Sequence, residues 1–290
     1  MSRLRENIIK GVATITRKHS FKGLQRVLNF IFPPSNQNKV KYIMNDYDND
    51  LSLQIDTSSF IEWVTFFKGY YEPDVSNLLS KLLIPGNIVI DVGANVGIHT
   101  VLMAKKVTES GKVFAFEPHP EIADRLENNL NLNNYKFVKI IEKALSDKES
   151  KSNFYIYPKD NINKGISSLY KNHLEINHRK INIDVTTLDN FVKKNNVKKI
   201  DLIKIDTEGN DLKVLKGSEE TIKKFSPHII FEFEKNLWAL AESTFSDIYD
   251  FLKEKNYKMY KICKQGKLKD INKNNYNNSM MVYAKRCKID

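Results

Sequence analysis

Cysteine is nearly absent: Cys263 and Cys287 are the only two in 290 residues. Two thiols late in a chain make neither a disulfide framework nor a zinc-ligand set, and they read as reduced packing residues of a cytoplasmic protein. Long apolar runs are missing too. No stretch approaches the roughly 20 residues of a membrane-spanning helix. The first residues, interrupted by Arg3, Arg5, Glu6 and Lys10, hold neither the apolar core nor the cleavage site of a signal peptide. A protein that stays where it is made is the expectation. Arginine is scarce, so the formal charge of +11 is almost all lysine, accompanied by abundant asparagine. That pattern favours a compositional bias and a solvated basic surface over a nucleic-acid footprint, because the planar arginine fork is the better reader of phosphate and guanine. Acidic glycans and an anionic membrane surface stay open as partners.

Residues 1 to about 34 look like an appendage. Arg3, Arg5, Lys10, Arg17, Lys18, Lys22 and Arg26 are interspersed with Leu4, Ile8, Val12, Ile15, Phe21, Leu24, Leu28 and Phe30 at mostly helical spacing, and Pro33-Pro34 stops the pattern. Such a basic amphipathic helix suits a membrane surface, or packing on the main domain or a second subunit. A β-rich lead-in is expected over 40–65. Residues 1–66 then form an N-terminal unit and 67–290 the main domain.

From Asn87 onward strands alternate with helices, which signals parallel βαβ units and an α/β class: a doubly wound, mostly parallel Rossmann-like sheet. Strands are expected at 88–92, 112–117, 138–141, 201–205 and 228–233. Helices are expected at 97–106, 120–132 and 245–255, the last opened by Thr244 with Asp247 three residues on. Segments 257–263 and 280–283 read as a closing antiparallel hairpin. The stretch 147–190 breaks the rhythm. Its segments 154–157 and 181–185 alternate like strands around a polar stretch holding Asn163, Lys164, Gly165, Ser167 and Ser168. An excursion of this kind sits over the carboxyl ends of the strands, and it is the candidate acceptor-binding lid.

The first strand ends in Asp91-Val92-Gly93-Ala94-Asn95-Val96-Gly97 and runs straight into a helix. Glycines permit a tight turn and a close backbone approach to a ligand. Glu117 ends the second strand, about twenty residues past Gly97, where a carboxylate can accept both ribose hydroxyls of an adenosine. Asn95 stands at the second glycine position of the dinucleotide fingerprint and crowds a pyrophosphate, and there is no Walker A lysine. The turn therefore suits S-adenosyl-L-methionine, a nucleoside without phosphate. Asp91, Gly93, Asn95, Gly97 and Glu117 are the candidate cofactor residues. Ala144 and Asp147, after the third strand, join them where an adenine ring would lie.

With these words the chain resembles the FkbM-type methyltransferases. Matching segments are Ile90-Asp91-Val92-Gly93-Ala94-Asn95-Val96-Gly97, Phe116-Glu117-Pro118-His119-Pro120 and Ala144-Leu145-Ser146-Asp147. Thr187-Leu188-Asp189, Ile203-Lys204-Ile205-Asp206-Thr207-Glu208-Gly209 and Leu215-Lys216-Gly217 follow in order, with Gly69-Tyr70-Tyr71-Glu72-Pro73 as a lead-in. Thr207 replaces the more usual valine. The resemblance spans about 69–234. It implies a class I methyltransferase fold, S-adenosyl-L-methionine as donor, and acceptor hydroxyls on sugars, glycans or other small molecules.

Methyl transfer is an in-line displacement in which the protein holds the acceptor about 3 Å from the methyl carbon. A hydroxyl acceptor also has to lose its proton. Asp206 and Glu208 close the fourth strand, at the edge where α/β ligands bind, and are the candidate catalytic carboxylates. Three roles stand open: Asp206 on the donor's ammonium, either residue as general base, or both on a divalent metal together with Glu232 or Glu234. Capping of the following helix is the plain alternative. Glu232 interrupts the apolar run Ile229-Ile230-Phe231 and Phe233; a buried carboxylate has a purpose or a structural partner such as lysine. His99 and His119 flank the cofactor turn and can touch ligand or solvent, whereas His228 reads as structural. An O-methyltransferase is the leading expectation. A nucleic-acid methyltransferase would carry an Asn/Asp-Pro-Pro-Tyr/Phe motif where this chain has Asp206-Thr207-Glu208-Gly209. A membrane-associated scaffold using residues 1–34 is another alternative, and a nicotinamide enzyme is disfavoured by Asn95.

Overall fold

The apolar N-terminal pattern folds as two helices rather than the expected one, α1 (Arg3–Lys18) and α2 (Leu24–Ile31). Gly23 stands at the N-cap of α2 with φ of 95°, a left-handed conformation that glycine adopts without strain. The computed structural model describes residues 3–19, 21–34, 39–156, 167–170, 179–274 and 276–287. After α2 come the antiparallel strands β1 (Lys41–Tyr47) and β2 (Leu51–Asp56), then α3 (Phe60–Lys68) and α4 (Pro73–Leu82). The lead-in is therefore β-rich only as far as Asp56. Its remainder is helical: the continuous run from Glu62 to Phe67 is buried on all sides of α3, a pattern that period-2 reading mistakes for strand. α1 lies on α3, where the Thr16 hydroxyl donates to the Phe67 carbonyl at 2.6 Å, and the end of α2 is tied to α3 by the Trp63 indole, which donates to the Phe32 carbonyl at 2.7 Å. Ile9, Ala13, Leu24 and Leu28 join one apolar cluster with Val96, Ile98 and Leu126, so the N-terminal helices are continuous with the main core.

The first half of the central sheet runs β3 (Ile88–Val92), α5 (Ile98–Val107), β4 (Lys112–Phe116), α6 (Pro120–Leu132) and β5 (Val138–Ile141). Next, β6 (Ala144–Leu145), β7 (Ser150–Ile156), β8 (Ser167–Ser168) and β9 (Arg179–Thr186) form a separate sheet in the order β6-β9-β7-β8. α7 (Leu188–Lys194), β10 (Leu202–Ile205), α8 (Asp211–Lys216), α9 (Glu219–Phe225) and β11 (His228–Glu234) supply the second half. α10 (Lys235–Leu240), α11 (Phe245–Glu254), β12 (Tyr257–Cys263), β13 (Lys267–Asp270) and β14 (Ser279–Arg286) complete the chain. Thr244 and Asp247 form the expected capping box at α11.

The eight central strands lie in the order β13-β12-β14-β11-β10-β3-β4-β5. β10 pairs in parallel with both β3 and β11, while β14 runs antiparallel to its neighbours β11 and β12. The closing pair forms as expected, with β13 added at its outer edge. Strand alternation sorts the core into two layers. Ile90, Val92, Ile203 and Ile205 pack with Leu188, Leu212 and Ile248 on one face; Val89, Leu202 and Ile230 pack with Leu79 and Leu102 on the other. By the same period, Asp91, Lys204 and Glu232 project toward the α4/α5 face. The strand order reverses between β3 and β10, the switch point where α/β sheets bind ligands. Asn163, Lys164, Gly165 and residue 157 lie outside the described residues. Among the described residues no helix is long and apolar enough to cross a membrane.

Candidate active site

A cavity of about 300 Å³ opens at that switch point. Its floor is the turn after β3. The Gly93 and Ala94 amides both donate to the Phe116 carbonyl at 3.0 Å, which ties the turn to the end of β4. Gly93 adopts φ of 76°, and a Cβ there would stand 1.9 Å from the Asp206 carbonyl oxygen. Only glycine lets the ends of β3 and β10 come this close. Gly93→Ala is therefore expected to cost about 3 kcal/mol or more of stability, read as a lowered thermal midpoint. An unchanged midpoint would mean that the turn is free to move. Asn95 also takes a positive φ, 52°, which asparagine tolerates, and its side-chain oxygen accepts from the Val96 amide at 2.7 Å.

Glu117 follows β4 and is buried. Its two oxygens accept one backbone amide each, from Asn95 at 2.9 Å and from His119 at 2.9 Å. Burial pushes its pKa up to about 7 against the pull of those two N–H groups, and Asp91 adds to the rise. Each oxygen keeps lone-pair capacity for a further donor. A ribose diol supplies two such donors, and Phe116, Ala144 and Leu145 offer apolar walls beside it. These residues fit an adenosine group without phosphate.

The opposite wall is acidic. Asp206, Glu208 and Glu232 line it together with Glu72 from the start of α4. Glu208 takes a positive φ of 53°, so its side chain reaches the cavity by a left-handed turn rather than by continued strand alternation. Burial pushes its pKa to about 8, and Asp206 and Asp211 add to the rise. Burial followed by Asp206 and Glu208 raises Glu232 to about 10, and burial with Asp206 raises Glu72 to about 7. Lys204 is the counter-charge. Buried in β10, it stands 3.2 Å from Asp206 and 3.9 Å from Asp91. Burial works against its ammonium, but Asp206, Asp91 and Glu72 outweigh that cost and hold its pKa above the ordinary lysine value. His99 Nε2 lies 3.9 Å from Glu72; burial, then Lys204, keeps the ring well below its usual pKa and therefore neutral.

Gly93, Asn95, Glu117, Ala144, Asp206, Glu208 and Glu232 thus meet in one cavity. Three other residues read as cofactor contacts stand outside its lining. Asp91 is turned beneath it, accepting from the Thr100 hydroxyl at 2.6 Å. Gly97 packs against α6, where a Cβ would meet Leu126 at 2.3 Å. Asp147 is exposed and accepts from the Ser146 hydroxyl at 3.2 Å, while the preceding Leu145 faces the cavity. Phe154 of β7 and Leu169 close the cavity from the second sheet, and Ser168 donates to the Glu208 carbonyl at 3.1 Å. Among the described residues, the charges that act on Glu232 are the carboxylates of Asp206, Glu208, Asp211 and Glu72 rather than a lysine. Among the described residues, no three His, Cys, Asp or Glu side chains form a group that could hold a metal ion, so Asp206, Glu208 and Glu232 do not come together as one. Sequence reasoning passed over Lys204 and Glu72. The signal for Lys204 was the same as for Glu232, a charge inside an apolar strand; Glu72 stood in the Gly69–Pro73 lead-in of the resemblance, which gave it no role.

The family model for the methyltransferase FkbM domain matches residues 91–259. A protein-L-isoaspartate O-methyltransferase of Methanopyrus kandleri is 38% identical over 72 residues, 24% of this chain and 32% of its own length. The chain thus spans about a third of that curated relative. Among solved structures, methyltransferase FkbM from Methylobacillus flagellatus is 16% identical with a TM-score of 0.43, covering 76% of this chain and 52% of that one. An rRNA methylase from Streptococcus thermophilus is 12% identical with a TM-score of 0.41, over 74% and 95%. The acceptors in those names, a protein and an rRNA, belong to those proteins.

Proposed function

Because this chain belongs to the FkbM methyltransferase family, we propose that it transfers a methyl group from S-adenosyl-L-methionine to a hydroxyl of a sugar, glycan or other small molecule. The observation that supports this most is the meeting of Glu117 with Asp206, Glu208 and Glu232 around one cavity at the switch point. When bound, the donor supplies a methyl carbon on a sulfonium, open to in-line displacement. Glu117 receives the ribose hydroxyls, and the Gly93 turn lets backbone approach the ligand. Glu208, with its pKa raised to about 8, takes the acceptor's proton in its ionised form, which gains population as pH rises toward and past 8. Glu232, raised to about 10, keeps its own proton and donates a hydrogen bond to the acceptor. Asp206, held by Lys204 at 3.2 Å, orients that acceptor.

Release of S-adenosylhomocysteine in the presence of mono- and oligosaccharides tests the reading. Glu208→Gln is expected to lower transfer about 100-fold or more while S-adenosylhomocysteine still binds. Transfer to RNA or to amines, with none to hydroxyl acceptors, would overturn O-methylation.

A further inference from the structure

Each N-terminal helix carries a second apolar stripe that the fold does not use. On α1, Ile9 and Ala13 are buried and Val12 is half-buried toward the core. Leu4, Ile8 and Ile15 recur at i, i+4 and i+11, close to the opposite side of a 3.6-residue helix. They remain exposed, Leu4 to 71%. α2 repeats the arrangement: Leu24 and Leu28 are buried, whereas Val27, Phe30 and Ile31 are exposed, Phe30 to 89%. Phe21, between the helices, is exposed as well. Seven of the twelve strongly exposed large apolar side chains among the described residues thus fall between positions 4 and 31. Such a concentration marks an interaction surface rather than the scattered exposure normal for a protein.

Charge identifies the occupant. Residues 1–34 hold seven basic residues and one acid, Glu6, which is paired with Lys10 at 2.6 Å. Lys18 continues the exposed stripe of α1 by one further turn, and Arg26 stands one turn before Phe30; both are exposed. A second copy of the chain would set like charge against like. An anionic bilayer supplies the complement, and cations flanking apolar side chains at headgroup depth are what an interfacial helix requires. We propose that α1 and α2 form a peripheral dock for an anionic lipid surface, with Phe30, Ile31 and the outer stripe of α1 seated at the headgroup boundary. The dock is independent of the methyl-transfer reading, because none of its residues lines the cavity.

Co-sedimentation of the full chain with phosphatidylcholine vesicles, with and without about a third phosphatidylglycerol, tests it. The wild type is expected to pellet with the anionic vesicles at low salt and weakly with the neutral ones. The double variant Ile8→Asp/Phe30→Asp should bind about tenfold more weakly or worse, with its thermal midpoint and S-adenosylhomocysteine affinity unchanged. Replacing Lys18, Lys22 and Arg26 with glutamine should weaken binding as well. Absence of binding to anionic vesicles would overturn the proposal, and so would binding that the apolar variant leaves intact. A dimer in analytical ultracentrifugation that the same double variant dissociates would assign the face to a second copy instead.

Discussion

Glu117→Ala is expected to weaken S-adenosylhomocysteine binding on the order of 100-fold or more. Two hydroxyl hydrogen bonds to a carboxylate contribute roughly 1.5–3 kcal/mol each, and each 1.4 kcal/mol is a factor of ten. The loss is large because the residue is buried with one amide on each oxygen, so water is a poor substitute for the ribose. The pH dependence follows from the same carboxyl. Its pKa without ligand is raised to about 7, and the diol binds the ionised form. Affinity in the wild type should thus be flat above pH 7 and fall toward tenfold per unit below it. The stability sign is opposite. A folded-state pKa above the unfolded value near 4.5 favours the folded protein below that value. This contribution disappears as pH rises through about 7. Titration calorimetry across this range reads the affinity directly; an affinity in Glu117→Ala close to wild type would remove the carboxylate from the ligand.

Lys204→Met is expected to destabilise the fold by roughly 3–5 kcal/mol, the usual cost of removing one partner from a buried ion cluster. The lysine lies between Asp91 and Asp206 on the buried face of β10, and among the described residues one Asp91 oxygen has no hydrogen-bond donor. Without the ammonium, the Asp91 carboxylate stays buried with only Thr100 to satisfy it. Burial already raises the Asp91 pKa and Lys204 opposes that rise. Loss of the lysine therefore raises it further, so the defect should grow as pH increases and shrink in acid. Denaturant melts at two pH values measure this. Equal stability of variant and wild type at alkaline pH would show that the cluster does not hold the sheet.

Local pattern carried the parallel core of the fold. The apolar words of β3, β10 and β11, the glycine turn and the Thr244–Asp247 capping box are all short-range features whose physics is contained in a few residues. Glu117 was legible for the same reason, since a strand end at fixed distance from a glycine turn defines its place. Insertion of β14 between β11 and β12 was not legible, because strand order depends on contacts far apart in sequence. Nor was the approach of Glu72 to Asp206. It depends on α4 packing beside α5 and on a left-handed residue at position 72. The α1–α2 break was not legible either, because the apolar spacing runs on through it while α1 ends at Lys18 and α2 begins only after Gly23. Periodicity likewise missed that the N-terminal helices are apolar on two sides, because a single stripe accounts for most of the pattern.

Calorimetric titration of S-adenosylhomocysteine into the 290-residue chain near pH 8, above the Glu117 pKa of about 7, tests the central claim most directly, with NAD as the control ligand. One S-adenosylhomocysteine bound per chain and no uptake of NAD is the predicted result. A folded chain that ignores S-adenosylhomocysteine, or that binds NAD in its place, would contradict the account.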